Sequence, residues 1–214
     1  MNWLPKRALP SRYEHLADAA VHVVGIVLAI NASLWLLANV TGLSVLVSVS
    51  VYCLGLLAMV GFSAAYNMMP HHLPSKAVLR RLDHAAIFIM IAATYTPFAV
   101  NRLGAPYGTL ILAVIWASAT LGVIMKLIFP RRFETVSIAL YLVMGWLVVT
   151  VIKPLSLSVS SADLWLLGAG GLVYSVGVIF YAIDRIPFNR AIWHTCVFTA
   201  AALQFASIWR EFAR

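Results

Sequence analysis

The sequence predicts an all-α polytopic membrane protein, a bundle of seven transmembrane helices with its N-terminus in the cytoplasm and its C-terminus outside. Three observations lead there. Hydrophobic residues make up 63% of the 214 positions and charged residues only 10%, against roughly 25% charged in a soluble domain; the mean hydropathy is +0.93. The apolar residues fall into seven runs, each near the roughly 20 residues that a helix needs to cross a bilayer core. Finally, the basic residues gather in alternate connections. One set holds Lys6, Arg7, Arg12, Lys76, Arg80, Arg81, Lys126, Arg131, Arg132, Arg185 and Arg190, whereas the other holds Arg102, Lys153, Arg210 and Arg214. Connections rich in Lys and Arg stay in the cytoplasm, and an odd number of crossings sends the termini to opposite sides.

The same distribution decides what the net charge of +8 means. Dispersed over short connections, the cations serve orientation and form no basic patch, so a membrane-lipid partner is expected and a nucleic-acid partner is not. No polar block is long enough to bury its own core, and residues 1–214 read as one integral-membrane domain.

The spans are expected at about 19–39, 43–66, 84–103, 108–129, 134–152, 163–183 and 191–209. The first follows a basic segment, as a secretory leader does, but no small-residue cleavage site comes after it, so it reads as a retained helix. Cys53 in the second and Cys196 in the seventh are expected to pack as small apolar residues and not to form a disulfide. The third span is irregular. Pro97 removes a backbone donor and crowds the preceding turn, which should kink or end the helix early, with Thr94, Tyr95 and Thr96 hydrogen-bonding around the break. In the sixth, Gly168, Gly170, Gly171, Ser175 and Gly177 allow close packing on a neighbour. Trp3, Trp165, Trp193 and Trp209 fall near helix ends, where indoles anchor spans at the interface.

The chemistry concentrates at the cytoplasmic ends. Within LRRLDHAAIFIMIAATYTPF (residues 79–98), Asp83 opens the third span. At mid-helix such a charge costs about 2.5 to 3.5 kcal/mol and is normally functional or paired; at the helix mouth it also serves as an N-cap. Ser63 and Asn67 share a face of the second helix at four-residue spacing, and Arg190 and His194 do so on the seventh. Glu14, Asp18 and His22 form one stripe entering the first helix. Paired polar residues on different helices with an Asp between them suit a metal or hydrolytic site. They equally suit interhelical hydrogen bonds of roughly 0.6 kcal/mol each. His22 with Asp18 reads either as an imidazole oriented by a carboxylate for metal or proton handling or as a buried structural pair, and Glu14 also complements the helix dipole. His71 and His72 are expected in a solvated loop, His15 at headgroup level, and His84 turned away from whatever Asp83 faces.

Four stretches, taken in order, carry a resemblance: EHLADAAVHVVG from Glu14 to Gly25, SAAYN from Ser63 to Asn67, the segment Leu79 to Phe98, and GGLVYSVGVIFYAIDRIPFNRAIWH ending at His194. Together they resemble the haemolysin III-related proteins, the bacterial branch of the progestin and adipoQ receptor family. The resemblance implies seven helices, a cytoplasmic N-terminus, a bacterial plasma (inner) membrane address, and zinc near the cytoplasmic face. In that family a Ser-x-x-x-His pair, an Asp opening the third helix and a His-x-x-x-His pair surround the zinc, with the three histidines as ligands. Hydrolysis of a lipid amide has been proposed for related members. Ser63, Asp83 and His194 match, whereas Asn67 and Arg190 stand where two ligand histidines belong and Gln204 where a further histidine is common.

An amide is a poor zinc ligand and a guanidinium repels the cation, so the set is incomplete unless a residue such as His22 enters it. The cofactor is therefore left open. The expectation is that Arg190 stands in for the metal and pairs with Asp83, with Asn67 and Ser63 completing the cluster; snorkelling of Arg190 to the interface is the alternative. The function expected is that of a haemolysin III-like protein with a degenerate metal site, acting in lipid sensing or membrane homeostasis without zinc catalysis. The alternative is a zinc-dependent hydrolase of a lipid amide or ester, in which Ser63 and Asp83 position water and intermediate and His194 is a ligand. A cytolysin is a remote third reading, since no amphipathic segment or charged lumen lining appears in the spans.

Overall fold

The computed structural model describes residues 11–70, 72–129, 132–183 and 185–213; Trp3, Lys6, Arg7, His71, Arg131 and Arg214 lie outside them. The helices are α1 (Arg12–Ala38), α2 (Leu43–Met68), α3 (Ser75–Asn101), α4 (Tyr107–Ile128), α5 (Glu134–Trp146), α6 (Ile152–Ser156), α7 (Ser161–Ala182) and α8 (Asn189–Phe212). A 3-10 turn, Leu147–Val151, joins α5 to α6, and the three together make the fifth crossing. Among the described residues, seven segments are thus long and apolar enough to cross a membrane, the number expected.

α1 and α3 start well before the apolar runs expected for them. Hydropathy marks the part inside the hydrocarbon, whereas helix ends are built from polar groups that reach water. At the start of α1, Ser11 Oγ accepts from the Glu14 amide (3.3 Å) and the Glu14 carboxylate accepts from the Ser11 amide (2.8 Å), a reciprocal cap that fixes the helix start. At α3, residues 75–82 (SKAVLRRL) are good helix formers whose cations lie at the rim. Asp83 therefore sits two turns inside α3 and is not its N-cap, which corrects the capping alternative.

Pro97 does not end α3 either. The helix continues to Asn101, whose amide donates to the Pro97 carbonyl (2.9 Å), while Thr94 and Thr96 hydroxyls donate to Met90 and Ala92 carbonyls (2.9 Å each). Proline inside a spanning helix is tolerated where such side chains and neighbouring helices satisfy the backbone. The fifth crossing carries a break of its own, which α3 stabilises. The Tyr95 hydroxyl shares its proton between the Met144 and Gly145 carbonyls (2.9 Å each) and accepts from the Val148 amide (2.8 Å), covering the backbone groups that the 3-10 turn leaves open.

The helices close into a ring. α1 packs on α2 and α8, α2 on α3, α3 on α4, and α7 on α8, while α5 touches α3, α4 and α7. The core runs through Leu36, Val49, Tyr52, Met90, Val197 and Ile208, and the outward residues Leu34, Leu54, Leu121 and Val143 present apolar surface to lipid. Of the small residues in α7, Gly170 and Gly177 meet α8: a Cβ there would lie 2.9 Å from Gln204 Cγ and 2.8 Å from Cys196 Cβ. Gly168 opens onto nothing within 4 Å, so only part of the stripe is packing surface. Cys53 and Cys196 are both free thiols.

At the far end of the bundle two charge pairs fasten α8. Arg210 donates to buried Asp163 (2.7 Å), which Ser160 also reaches (2.5 Å), and Ser207 donates to the Asp163 carbonyl (3.1 Å). Arg102, at the end of α3, pairs with Glu211. Asp163→Ala leaves Ser160 and Arg210 without their acceptor and is expected to destabilise the bundle by about 1 to 3 kcal/mol, read as a lower melting temperature in detergent. An unchanged melting temperature would mean that this lock contributes nothing.

Candidate functional site

At the opposite end, where α1 begins, four helices bring polar side chains together. Glu14, Asp18 and His22 are all buried along one stripe of α1, His22 completely (0% exposed). Gly25, one turn further, allows the close approach to α8, since a Cβ there would fall 2.6 Å from the Phe198 ring. The approach sets the His22 and His194 rings edge to face, with centroids 4.3 Å apart.

The hydrogen bonds fix both imidazoles. His22 Nδ1–H donates to the Asp18 main-chain carbonyl (2.8 Å), and the Asp18 Oδ1 lies 3.7 Å from the same nitrogen. A carbonyl can only accept, so Nδ1 carries the proton and Nε2 holds a free lone pair. That lone pair faces the Ser63 hydroxyl at 3.2 Å. His194 Nδ1–H donates to Asp18 Oδ1 (2.6 Å), which leaves its Nε2 free as well. One residue, Asp18, thus orients both rings. Asn67 donates its amide to the Ser63 carbonyl (2.9 Å) and reaches the hydroxyl (3.5 Å). Asp83 reaches Ser63 from α3 and lies within electrostatic range of His194. Glu14 fastens the rim, because its second oxygen accepts from the Phe188 amide (2.8 Å) in the turn before α8.

Ser63, Asp83 and His194 are therefore neighbours, as are Asp18, His22 and Asn67. Arg190 is the exception. It is exposed, and no ion pair with Asp83 occurs among the described residues, so the expected Arg190–Asp83 pair is not formed. Arg190 lies in the first turn of α8 at the rim, where a guanidinium keeps its hydration more cheaply by turning outward; its charge acts on Asp18 and Lys76 only at longer range. His84 does turn away from Asp83, its Nδ1 lying 3.6 Å from Glu134, and His15 and His72 are exposed.

The family model described as "Haemolysin-III related" matches residues 13–205, nearly the whole bundle. The chain belongs to the haemolysin III family. It is 38% identical over 195 residues to Hemolysin-3 of Bacillus cereus, a match that covers 90% of this chain and 89% of that one. To the Hemolysin-3 homolog of Bacillus subtilis (strain 168) it is also 38% identical over 195 residues, covering 90% and 91%. The human protein named Monocyte to macrophage differentiation factor is 31% identical over 216 residues, covering 97% of this chain and 88% of its own. These matches and the seven apolar helices make this haemolysin III-related chain, of the progestin and adipoQ receptor family, a multi-pass membrane protein, in bacteria one of the plasma membrane.

The three-histidine zinc set implied by the haemolysin III resemblance does not fit this chain. Asn67 is bonded to Ser63 and Arg190 is turned out, which leaves His194 alone. A different set does fit the chemistry. One donor atom each of Asp18, His22 and His194 lie within 4.8 Å of one another, all three residues buried, and two imidazoles with a carboxylate are donors that zinc accepts. Each Nδ1 is already held by an oxygen, so metal bound through Nε2 would have Asp18 as the support of the rings, on their far side, and not as a shared ligand.

Proposed function

We propose that this haemolysin III protein is a membrane-embedded, zinc-dependent hydrolase of a lipid amide or ester, with His22 taking the place of the missing family ligands. One observation carries the reading: buried His22 meets both Asp18 and His194, supplying the donor that Asn67 and Arg190 cannot. The sequence alone favours a non-catalytic protein because one histidine is too few. With His22 included, that objection falls away.

His22 and His194 would hold the ion through Nε2, with Asp18 orienting both rings from their Nδ1 side. Zinc bound this way supplies an activated water and polarises a carbonyl. Asp83 takes the proton of the attacking water and returns it to the leaving amine or alkoxide. The Ser63 hydroxyl, which Asn67 reaches at 3.5 Å, would leave His22 Nε2 and donate to the developing oxyanion. With the Lys- and Arg-rich end in the cytoplasm, the site opens on that side.

A second reading keeps the cluster free of metal, as a structural lock in a lipid-sensing or homeostatic protein. Its support is that Asp18 already satisfies both Nδ1–H groups (2.6 and 2.8 Å). The two readings part in one assay. Purified protein in phosphatidylcholine nanodiscs is offered a ceramide-type amide and an acyl ester, and fatty-acid release is followed. The hydrolase gives release that a chelator stops and zinc restores, and that falls by roughly 10²- to 10⁴-fold in Asp83→Asn. No release from zinc-replete protein on either substrate class leaves the lock.

A further inference from the structure

A second charged cluster lies on the other side of α3, at the same end of the bundle. Glu134, in the first turn of α5, accepts from Arg80 (2.7 Å) and from Lys126 (3.1 Å), with His84 Nδ1 at 3.6 Å. Lys126 has a side chain only 3% exposed, in the last turn of α4. Arg81 donates Nη1 to the Leu127 carbonyl (3.2 Å), while its Nε is buried with no acceptor among the described residues. Two permanent cations, Arg80 and Lys126, therefore share one carboxylate, Arg81 has no carboxylate partner among the described residues, and Arg132, exposed on the α4–α5 turn, adds a fourth charge of the same sign. Asp83 lies within electrostatic range of Arg80 and of His194 and makes no ion pair among the described residues.

Buried charge at a membrane boundary is normally paired, and here, among the described residues, one buried N–H donor has no acceptor and four cations face one directly bonded carboxylate. We propose that this cluster binds the phosphate of an anionic membrane lipid, seated between the ends of α3, α4 and α5. Four features fit that occupant. The sign of the charge is right, and the orphan Arg81 Nε supplies a donor waiting for an acceptor. The planar guanidinium fork matches phosphate oxygens better than any monovalent ion would. The cluster sits at helix ends, the level of lipid headgroups, where basic pockets between helices take anionic lipids. Leu127, Ile128, Phe129 and Phe133 beside it are exposed by 39% to 62%, giving acyl chains an apolar bed. The proposal does not depend on hydrolysis or on metal at the Asp18 cluster.

The test measures melting of the full-length protein in nanodiscs of phosphatidylcholine with and without phosphatidylglycerol, and titrates short-chain phosphatidylglycerol into the detergent-purified protein by native mass spectrometry. Phosphatidylglycerol is expected to raise the melting temperature of the parent. Arg81→Gln should lose most of that rise and bind the lipid about tenfold more weakly; Lys153→Gln, exposed at the opposite end, should keep both. Should Arg81→Gln not fold, exposed Arg132→Gln gives the same comparison with a smaller loss. The proposal is overturned if the parent melts alike in both lipids, if these variants respond to phosphatidylglycerol as the parent does, or if inorganic phosphate displaces the lipid at equal concentration, which would make the site one for a free anion.

Discussion

Replacing His22 by alanine is expected to abolish zinc binding by this protein. On the proposed reading His22 joins His194 as the second imidazole, and its Nε2 presents a lone pair, met here by the Ser63 hydroxyl (3.2 Å), because the Asp18 carbonyl holds Nδ1 (2.8 Å). Loss of a residue that merely orients a ligand costs roughly 10- to 100-fold in affinity, and loss of the ligand itself should exceed that. Competition with a calibrated chelator measures it. Because an imidazole removed from a fully buried position also leaves a cavity, His22→Gln serves as the volume control: it fills the space and can still meet Ser63, yet lacks a good zinc donor. Zinc affinity equal to the parent in both variants would exclude His22 from the site. If the cluster is only a lock, His22→Ala lowers the melting temperature and changes no metal content.

Asp18→Ala is expected to act on both stability and affinity. The carboxylate is the acceptor for His194 Nδ1–H (2.6 Å), and its removal leaves a buried donor unsatisfied at a cost of about 1 to 3 kcal/mol. His22 keeps its main-chain partner, so that ring stays oriented. Zinc affinity should fall by roughly 10- to 100-fold, since one of the two imidazoles loses its support. Asp18→Asn separates the two effects. An asparagine oxygen can accept from His194, which restores most of the melting temperature, but it brings no negative charge, so affinity stays low. Recovery of affinity and stability together in Asp18→Asn would show that the charge is unimportant and that Asp18 has a structural part alone.

The contrast between what the sequence discloses and what it hides follows from the range of the interactions. The seven crossings are legible because a bilayer imposes length and hydropathy on each span separately, and every expected span overlaps one of the seven crossing segments. Helix starts are less legible, since Ser11 with Glu14 and the Ser75 to Leu82 stretch lie outside the apolar runs. The stripe Glu14, Asp18 and His22 can be read from spacing. Its meeting with His194 cannot, because it depends on α1 lying against α8 at Gly25, a contact between the two ends of the chain. Arg190 shows the opposite error: position in a motif suggested an inward partner, and the cheaper hydration of the rim decides its direction. Tyr95 reads as part of a Pro97 break in α3, although its hydroxyl instead covers the backbone of the fifth crossing. Lys126 and Arg80 count for orientation in the sequence, and their shared carboxylate, Glu134, was the available sign of a cluster.

Elemental analysis of the purified full-length protein, with Asn67→His combined with Arg190→His for comparison, tests the central claim most directly. The His22-completed site predicts stoichiometric zinc in the parent and its loss in His22→Ala. A parent without zinc under conditions in which the double replacement acquires it would contradict the claim, leaving the Asp18, His22 and His194 cluster as a metal-free lock.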